Sequence, residues 1–257
     1  MNGLINVKLG WKGKKITHRL IFIMWSSLIF LLIPLLVSAD SDIYWYMPDL
    51  PPCYILKGRN KGQGHCDQFQ QGLKNSLPEY NHHEIVSNYS RLVQSLRIFD
   101  NSCSTALFKT AEREKFLVYS DVIFIGFSAV AVISRQMSRR FQSYIFQEHF
   151  LDLKKLLQEE NKIQIGIMQG RLLGKTIDEI VAPYRKSDMF FERAAADSTG
   201  LLKMMINGRI DMMLMPPTDA IYCAEEIRLD PDSLLILRIK DAVSYQKVYA
   251  ACSKNDW

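Results

Sequence analysis

Apolar positions along the chain fall into short runs that switch between two periods. Ile43–Tyr46 is a brief β-prone run closed by Pro48, Pro51 and Pro52. Gly58, Gly62 and Gly64 make a turn, and Asp67 is placed to cap a helix reaching about Leu77, where Pro78 ends it. His83–Val86 reads as a second strand. Tyr89, Leu92, Val93, Leu96 and Phe99 then recur near helical spacing, which predicts a helix over Tyr89–Phe99. Cys103–Phe108 is a third strand leading into the polar loop Lys109–Lys115. Strand and helix in alternation predict a parallel α/β layer.

The second half repeats the scheme. Val122–Ile133 is long and rich in Val, Ile and Phe, as a strand crossing between two lobes would be. A basic stretch with aromatics covers Ser134–Phe150, and Phe150–Leu157 is expected to be helical. Lys162–Ile167 reads as a strand opening into the turn Gly166–Gly170. Lys175–Ala182 and Leu201–Ile206 read as helices, the latter closed by Asn207-Gly208, a favourable C-terminal cap. Ile210–Leu214 is a strand stopped by Pro216-Pro217, and Leu234–Ile239 and Lys247–Cys252 are late strands. The expectation is two α/β lobes of similar size. Lobe one takes 41–122 with 248–257, lobe two takes 127–244, and 123–126 and 245–247 are the hinge.

Charge changes the picture at one end only. The formal net charge of +5 invites a polyanion-binding reading. Yet Lys8, Lys12, Lys14, Lys15 and Arg19 all precede residue 40, and without them 27 basic residues face 27 acidic ones. The basic segment is followed by the apolar run Leu20–Val37 and by Val37-Ser38-Ala39, with small residues where a signal peptidase needs them. Residues 1–39 therefore read as a cleavable signal peptide, with a mature, periplasmic product starting at Asp40. An uncleaved anchor is the alternative, because the run reaches the lower limit for a membrane span; Pro34 and the Val-Ser-Ala site favour cleavage. All five cysteines, Cys53, Cys66, Cys103, Cys223 and Cys252, lie beyond the leader, where disulfides persist. The odd number leaves at least one outside any bridge within the chain, and no Cys-x-x-Cys exists.

Several segments, in order, resemble the family 3 extracellular solute-binding proteins. They are the strand with a proline-rich exit Trp45–Tyr54, then Lys109-Thr-Ala-Glu-Arg113 with Tyr119-Ser-Asp121, then Ile165–Gly170 before a helix. Asn207-Gly-Arg-Ile-Asp211 and the returning strand Val248–Ser253 complete the set. Within that family the chain is most similar to a proteobacterial subgroup marked by the Pro-Pro exit, Asn88-x-x-Arg91 and Ala251-Cys252. The resemblance implies a type II periplasmic binding fold, each lobe a mostly parallel sheet flanked by helices. It implies a small-molecule ligand between the lobes, a monomer, and the membrane component of an ABC importer as partner. No cofactor is implied. The family's helix after the returning strand has no counterpart before Trp257.

By the same resemblance Arg113, beside Thr110, would grip a ligand carboxylate, since guanidinium offers a planar fork matched to two oxygens. A solvated arginine in a charged turn is the plainer alternative. Tyr89 would stack on the ligand, with Trp45, Tyr46 and Phe108 assisting, unless these aromatics are simply core. Gly170 would free backbone amides for an anion and Arg171 would add charge. Phe108 replaces the family's usual small hydroxyl residue, and Met215-Pro216-Pro217 stands where an ammonium-binding Asp is usual, with Asp219 offset. A buried ammonium without a carboxylate is costly, so a carboxylated or less polar solute fits better than a standard amino acid.

Cys103 and Cys252, on strands of one lobe, are expected to form a disulfide, with Cys53–Cys66 as the competing pair. His65-Cys66-Asp67 and His82-His83-Glu84 form no chelating face by themselves, so no metal site is expected. No motif for catalysis is present. A cleft enzyme of the same fold, such as a dehydratase, or a binding module serving a sensor are the other functional readings.

Overall fold

In the computed structural model the described residues are 42–193 and 198–254, so the expected signal peptide and its cleavage site lie outside them. The chain begins with β1 (Asp42–Met47), α1 (His65–Ser76), β2 (Asn81–Val86), α2 (Tyr89–Ile98), β3 (Ser102–Phe108) and β4 (Leu117–Phe127). Alternation along β1 sends Tyr44 and Tyr46 to the face covered by α2. Ile43 and Trp45 go to the opposite face, with Cys103 and with Leu73 of α1.

The N-cap of α1 is Gly64, three residues before the expected cap. Asp67 still does capping work from inside the first turn, accepting hydrogen bonds from the N–H groups of Gly64 (3.0 Å) and Ile55 (2.9 Å). A side chain at Gly64 would bring its Cβ to 2.1 Å from the Cys53 carbonyl oxygen, which is backbone and cannot rotate away. Gly64→Ala is therefore expected to cost about 1–3 kcal/mol, the usual range for overpacking. Urea denaturation checks this, and an unchanged midpoint would refute it.

The second half contains β5 (Val130–Ser134), a short α3 (Ser138–Phe141) between 3-10 turns, β6 (Ile145–Phe146) and β7 (Phe150–Leu151). It continues with α4 (Leu153–Glu159), β8 (Ile165–Met168), α5 (Lys175–Val181), β9 (Phe190–Arg193) and α6 (Ser198–Ile206). The last elements are β10 (Met212–Met215), α7 (Pro217–Glu226), β11 (Leu234–Ile239) and β12 (Tyr245–Ser253). Three expectations are corrected here. Val122–Ile133 is the end of β4 and all but the last residue of β5, split at Ser128–Ala129 where the chain changes sheets. Phe150–Leu151 is strand, and the helix starts after Asp152, whose carboxylate accepts from the Lys155 N–H. Pro216-Pro217 does not merely stop β10. Pro217 opens α7, because a proline in the first turn gives up no helical hydrogen bond.

Two sheets result, with strand orders β2-β1-β3-β12-β4 and β6-β7-β11-β5-β10-β8-β9. Both are mixed. Pairing is parallel where helices intervene, in β2-β1-β3 and β10-β8-β9, and antiparallel where the crossing strands β5 and β12 join. β8 and β10 are buried along their whole length because helices cover both faces, which is why they read as continuous apolar runs. The segments expected to be hinge, 123–126 and 245–247, are paired sheet: Gln246 stands opposite Gly126 and Lys247 opposite Ile125. The chain passes between sheets just beyond, where the Ser128 N–H donates to Ser244 (3.0 Å).

Cys103 and Cys252 are direct register partners on β3 and β12 and are bridged, with Cα atoms 4.1 Å apart. Cys53 and Cys66 are bridged as well, Cα–Cα 4.8 Å, so the two pairings weighed as competitors coexist. Cys223 lies outside both bridges, on the buried face of α7. Among the described residues no helix is long and apolar enough to cross a membrane.

Candidate functional site

The two sheets meet along a cleft. Met168, at the end of β8 in the second sheet, is buried among Tyr46, Leu50 and Tyr89 of the first. Beyond it Gly170 adopts φ +76°, and a Cβ there would lie 3.0 Å from the Cα of Ser90 at the start of α2. Only glycine satisfies both the positive φ and that approach. The lobes are thus in contact, and the cavity they enclose beside Tyr89 and Arg171 holds about 70 Å³, while a wider one between Asn88, Arg91, Ser198 and Tyr222 holds about 630 Å³. Ordinary small-molecule pockets run to roughly 300 Å³ or more. The smaller of the two is too tight for a solute the size of an amino acid.

The first lobe lines this cavity with Leu50, Cys53, His65, Tyr89, Phe108 and Phe124; the second contributes Arg171, Pro216, Thr218 and Asp219. Arg171 and Asp219 form an ion pair whose side chains are only 14% and 5% exposed. That pairing neutralises the charge Arg171 was expected to offer an anion. His65 meets Phe124 edge to face at 5.0 Å. Burial holds its imidazole below the usual range, and the charge of Asp219 across the cleft pulls it partly back up.

Arg113 and Thr110 sit one layer behind the lining residues. Thr110 accepts from the Arg113 N–H (3.2 Å), ordering the 3-10 turn that carries the arginine. The Arg113 guanidinium is buried, lies 5.9 Å from the Tyr89 ring centre, and donates one hydrogen bond to the Phe108 carbonyl (3.2 Å). Tyr119 points at the same carbonyl, and burial pushes its hydroxyl up to about 12. Asp178 of the second lobe feels the positive charge of Arg113, although burial outweighs it and moves its carboxyl above the ordinary value. The arginine thus sits directly behind Tyr89 and Phe108, two of the lining residues.

Of the expected ligand residues, Tyr89, Phe108 and Arg171 line the cavity, and Gly170 forms its edge against α2. Trp45 does not reach it. Strand alternation turns it to the far face of β1, where its Nε1 donates to His82 (3.0 Å). Tyr46 is core beneath Tyr89. The reading from sequence missed His65, Phe124, Thr218 and Asp219. Asp219 looked offset because α7 was not foreseen; the first turn of that helix swings it back into the cleft. Pro217 followed by an acidic residue in the first turn was the available signal.

No family model and no curated protein sequence matches the chain. Solved structures do. The substrate-binding protein of an amino acid ABC transporter superposes with TM-score 0.60 at 16% identity, covering 84% of this chain and 87% of that one. A histidine kinase sensor domain similar to periplasmic binding proteins gives TM-score 0.61 at 12% identity, covering 84% and 83%. An ancestral amino acid-binding protein, a precursor of cyclohexadienyl dehydratase, gives 0.58 at 14% identity, covering 84% and 83%. What these likenesses establish, together with the two sheets and their crossing strands, is the two-lobed fold of the periplasmic binding proteins.

Proposed function

We propose that the protein is an exported, periplasmic solute-binding protein of the family 3 type, in the proteobacterial subgroup its motifs resemble. It takes up a small carboxylate-bearing solute between its lobes and performs no chemistry on it. The observation that carries this reading is the state of Arg113. A guanidinium has five N–H donors and a permanent charge. Here it is buried, gives one hydrogen bond, and pairs with no carboxylate among the described residues. A buried cation without a counter-charge is costly, and a ligand carboxylate would relieve that cost. The neighbouring Arg171–Asp219 pair is already neutral, so Arg113 is the cation matched to a ligand carboxylate. Tyr89 and Phe108 supply flat faces for the rest of the solute. Delivery to an ABC importer is the partner role this implies. The likeness to a kinase sensor domain supports a second reading, in which the same closure signals instead.

A thermal-shift screen of organic acids, amino acids and small peptides tests the binding role. A ligand at 100 times its Kd adds about 2.7 kcal/mol to the native state, which raises Tm by roughly 5–10 °C for a chain of this size. The expected hits carry a free carboxylate, and their amides give no shift. Hits confined to neutral sugars or cations would refute the reading.

A further inference from the structure

The wall of the cleft holds a cluster that solute binding does not use. Cys53, His65 and Cys66 place their Sγ and imidazole nitrogen atoms within 4.8 Å of one another. His65 and Cys66 are adjacent and cannot chelate well alone; what completes the set is Cys53, brought in from the proline-rich segment. We propose that these three residues form a thiol-gated site for a thiophilic divalent metal ion such as Zn²⁺, closed while Cys53 and Cys66 are bridged and opened by a dithiol reductant.

Main-chain geometry supports this independently of the bridge. The Cys66 N–H donates to the Cys53 carbonyl (2.9 Å) and the His65 N–H to the Pro52 carbonyl (3.3 Å). Asp67 ties Ile55 to Gly64 from one carboxylate oxygen. Together these bonds hold the proline-rich segment against the start of α1 whether or not the sulfurs are joined. Reduction thus leaves two thiols facing each other instead of releasing them. Cys53 and His65 both line the interlobe cavity, so a small dithiol reaches this bridge from the cleft once the lobes part. The Cys103–Cys252 bridge starts from Cys103, which is buried in the sheet.

The chemistry balances as a thiol–disulfide exchange. A thiolate of the dithiol attacks one sulfur of the bridge and forms a mixed disulfide. The second thiol of the reductant then displaces the protein sulfur, so the reductant leaves as its own disulfide and two electrons remain on Cys53 and Cys66 as thiols. Zn²⁺ displaces the two thiol protons and takes a ring nitrogen of His65. Two thiolates and an imidazole are an established donor set for zinc, and they leave one tetrahedral position free. Because Cys53 and His65 line the cavity, water or a solute carboxylate would be the group to fill it.

Tag-free protein, as purified and after dithiothreitol treatment with desalting under argon, is titrated with Zn²⁺ against a chromogenic chelator and with Co²⁺ by absorbance. Reduced protein is expected to take up one equivalent and to show a thiolate-to-cobalt charge-transfer band, and oxidised protein to show neither. Cys53→Ser and His65→Ala should each lose stoichiometric uptake while keeping the circular dichroism of the parent. A Cys103→Ala/Cys252→Ala variant should retain uptake, which assigns the metal to the cleft cluster. Should that variant fail to fold, protection of Cys53 and Cys66 from alkylation by bound Zn²⁺, read by peptide mapping, makes the same assignment. Equal uptake by oxidised and reduced protein, no uptake by reduced protein, or full uptake by His65→Ala overturns the proposal.

Discussion

Replacing Cys103 and Cys252 together by alanine is expected to lower global stability by about 5 kcal/mol, against about 3 kcal/mol for the same change at Cys53 and Cys66. The difference comes from the unfolded state. The first bridge spans 149 residues and the second 13, and the entropy removed by closing a loop rises with its length. In the native state the long bridge joins directly opposed residues of β3 and β12, so it asks for no rearrangement of either strand. Its position adds to its importance. β12 lies between β3 and β4 and completes the first sheet after the chain has built the second. Without the bridge, this late strand must find its place by a contact between distant parts of the sequence. Urea denaturation of the two double variants measures both costs on one scale. Equal losses, or a larger loss for the short loop, would refute the chain-entropy account.

How far the sequence carries the fold depends on which signal each element left. The strand–helix alternation was legible because β1, β3, β8 and β10 are short apolar runs bounded by Gly, Pro or polar residues. The Cys103–Cys252 pairing followed from assigning both residues to one lobe. Elements failed where a residue has two opposite uses. Pro217 ends a strand and equally begins a helix, and reading only the first use hid α7 and, with it, the place of Asp219. Val122–Ile133 read as one strand because apolar character is unbroken across Ser128–Ala129; the change of sheet there is set by pairing with β12 and β10, which local periodicity does not record. The site was less legible than the fold. Tyr89, Phe108 and Arg171 reach the cleft, but Trp45 differs from its neighbours only in strand phase. Phase decides which face it takes, and the phase of β1 became plain only with α1 and α2 in place. His65 was weighed only within a triplet that forms no chelating face by itself; its place in the cleft depends on Phe124, far from it in sequence, and on the fold of the segment that carries Cys53.

Arg113→Ala is expected to weaken binding of a carboxylate ligand by about 2–5 kcal/mol, the usual cost of truncating one partner of a buried charge pair, which is roughly 30- to 4,000-fold in Kd. The structure sharpens this into a contrast with Arg171. In the unliganded protein Arg113 pairs with no carboxylate among the described residues, so removing it deletes a buried charge that no ion pair compensates. Arg113→Ala should therefore keep or raise the Tm of the unliganded protein while binding is lost. Arg171→Ala strands Asp219, which is 4% exposed, and should lower that Tm whatever it does to affinity. Lysine at 113 should restore little affinity. It keeps the charge, but it lacks the planar fork that the Tyr89 ring and the Phe108 carbonyl hold in place. Calorimetry with a carboxylate hit, paired with melting curves of the unliganded variants, reads both halves. Unchanged affinity in Arg113→Ala, or a Tm that falls as far as in Arg171→Ala, would show that this arginine holds the fold together and does not anchor the ligand.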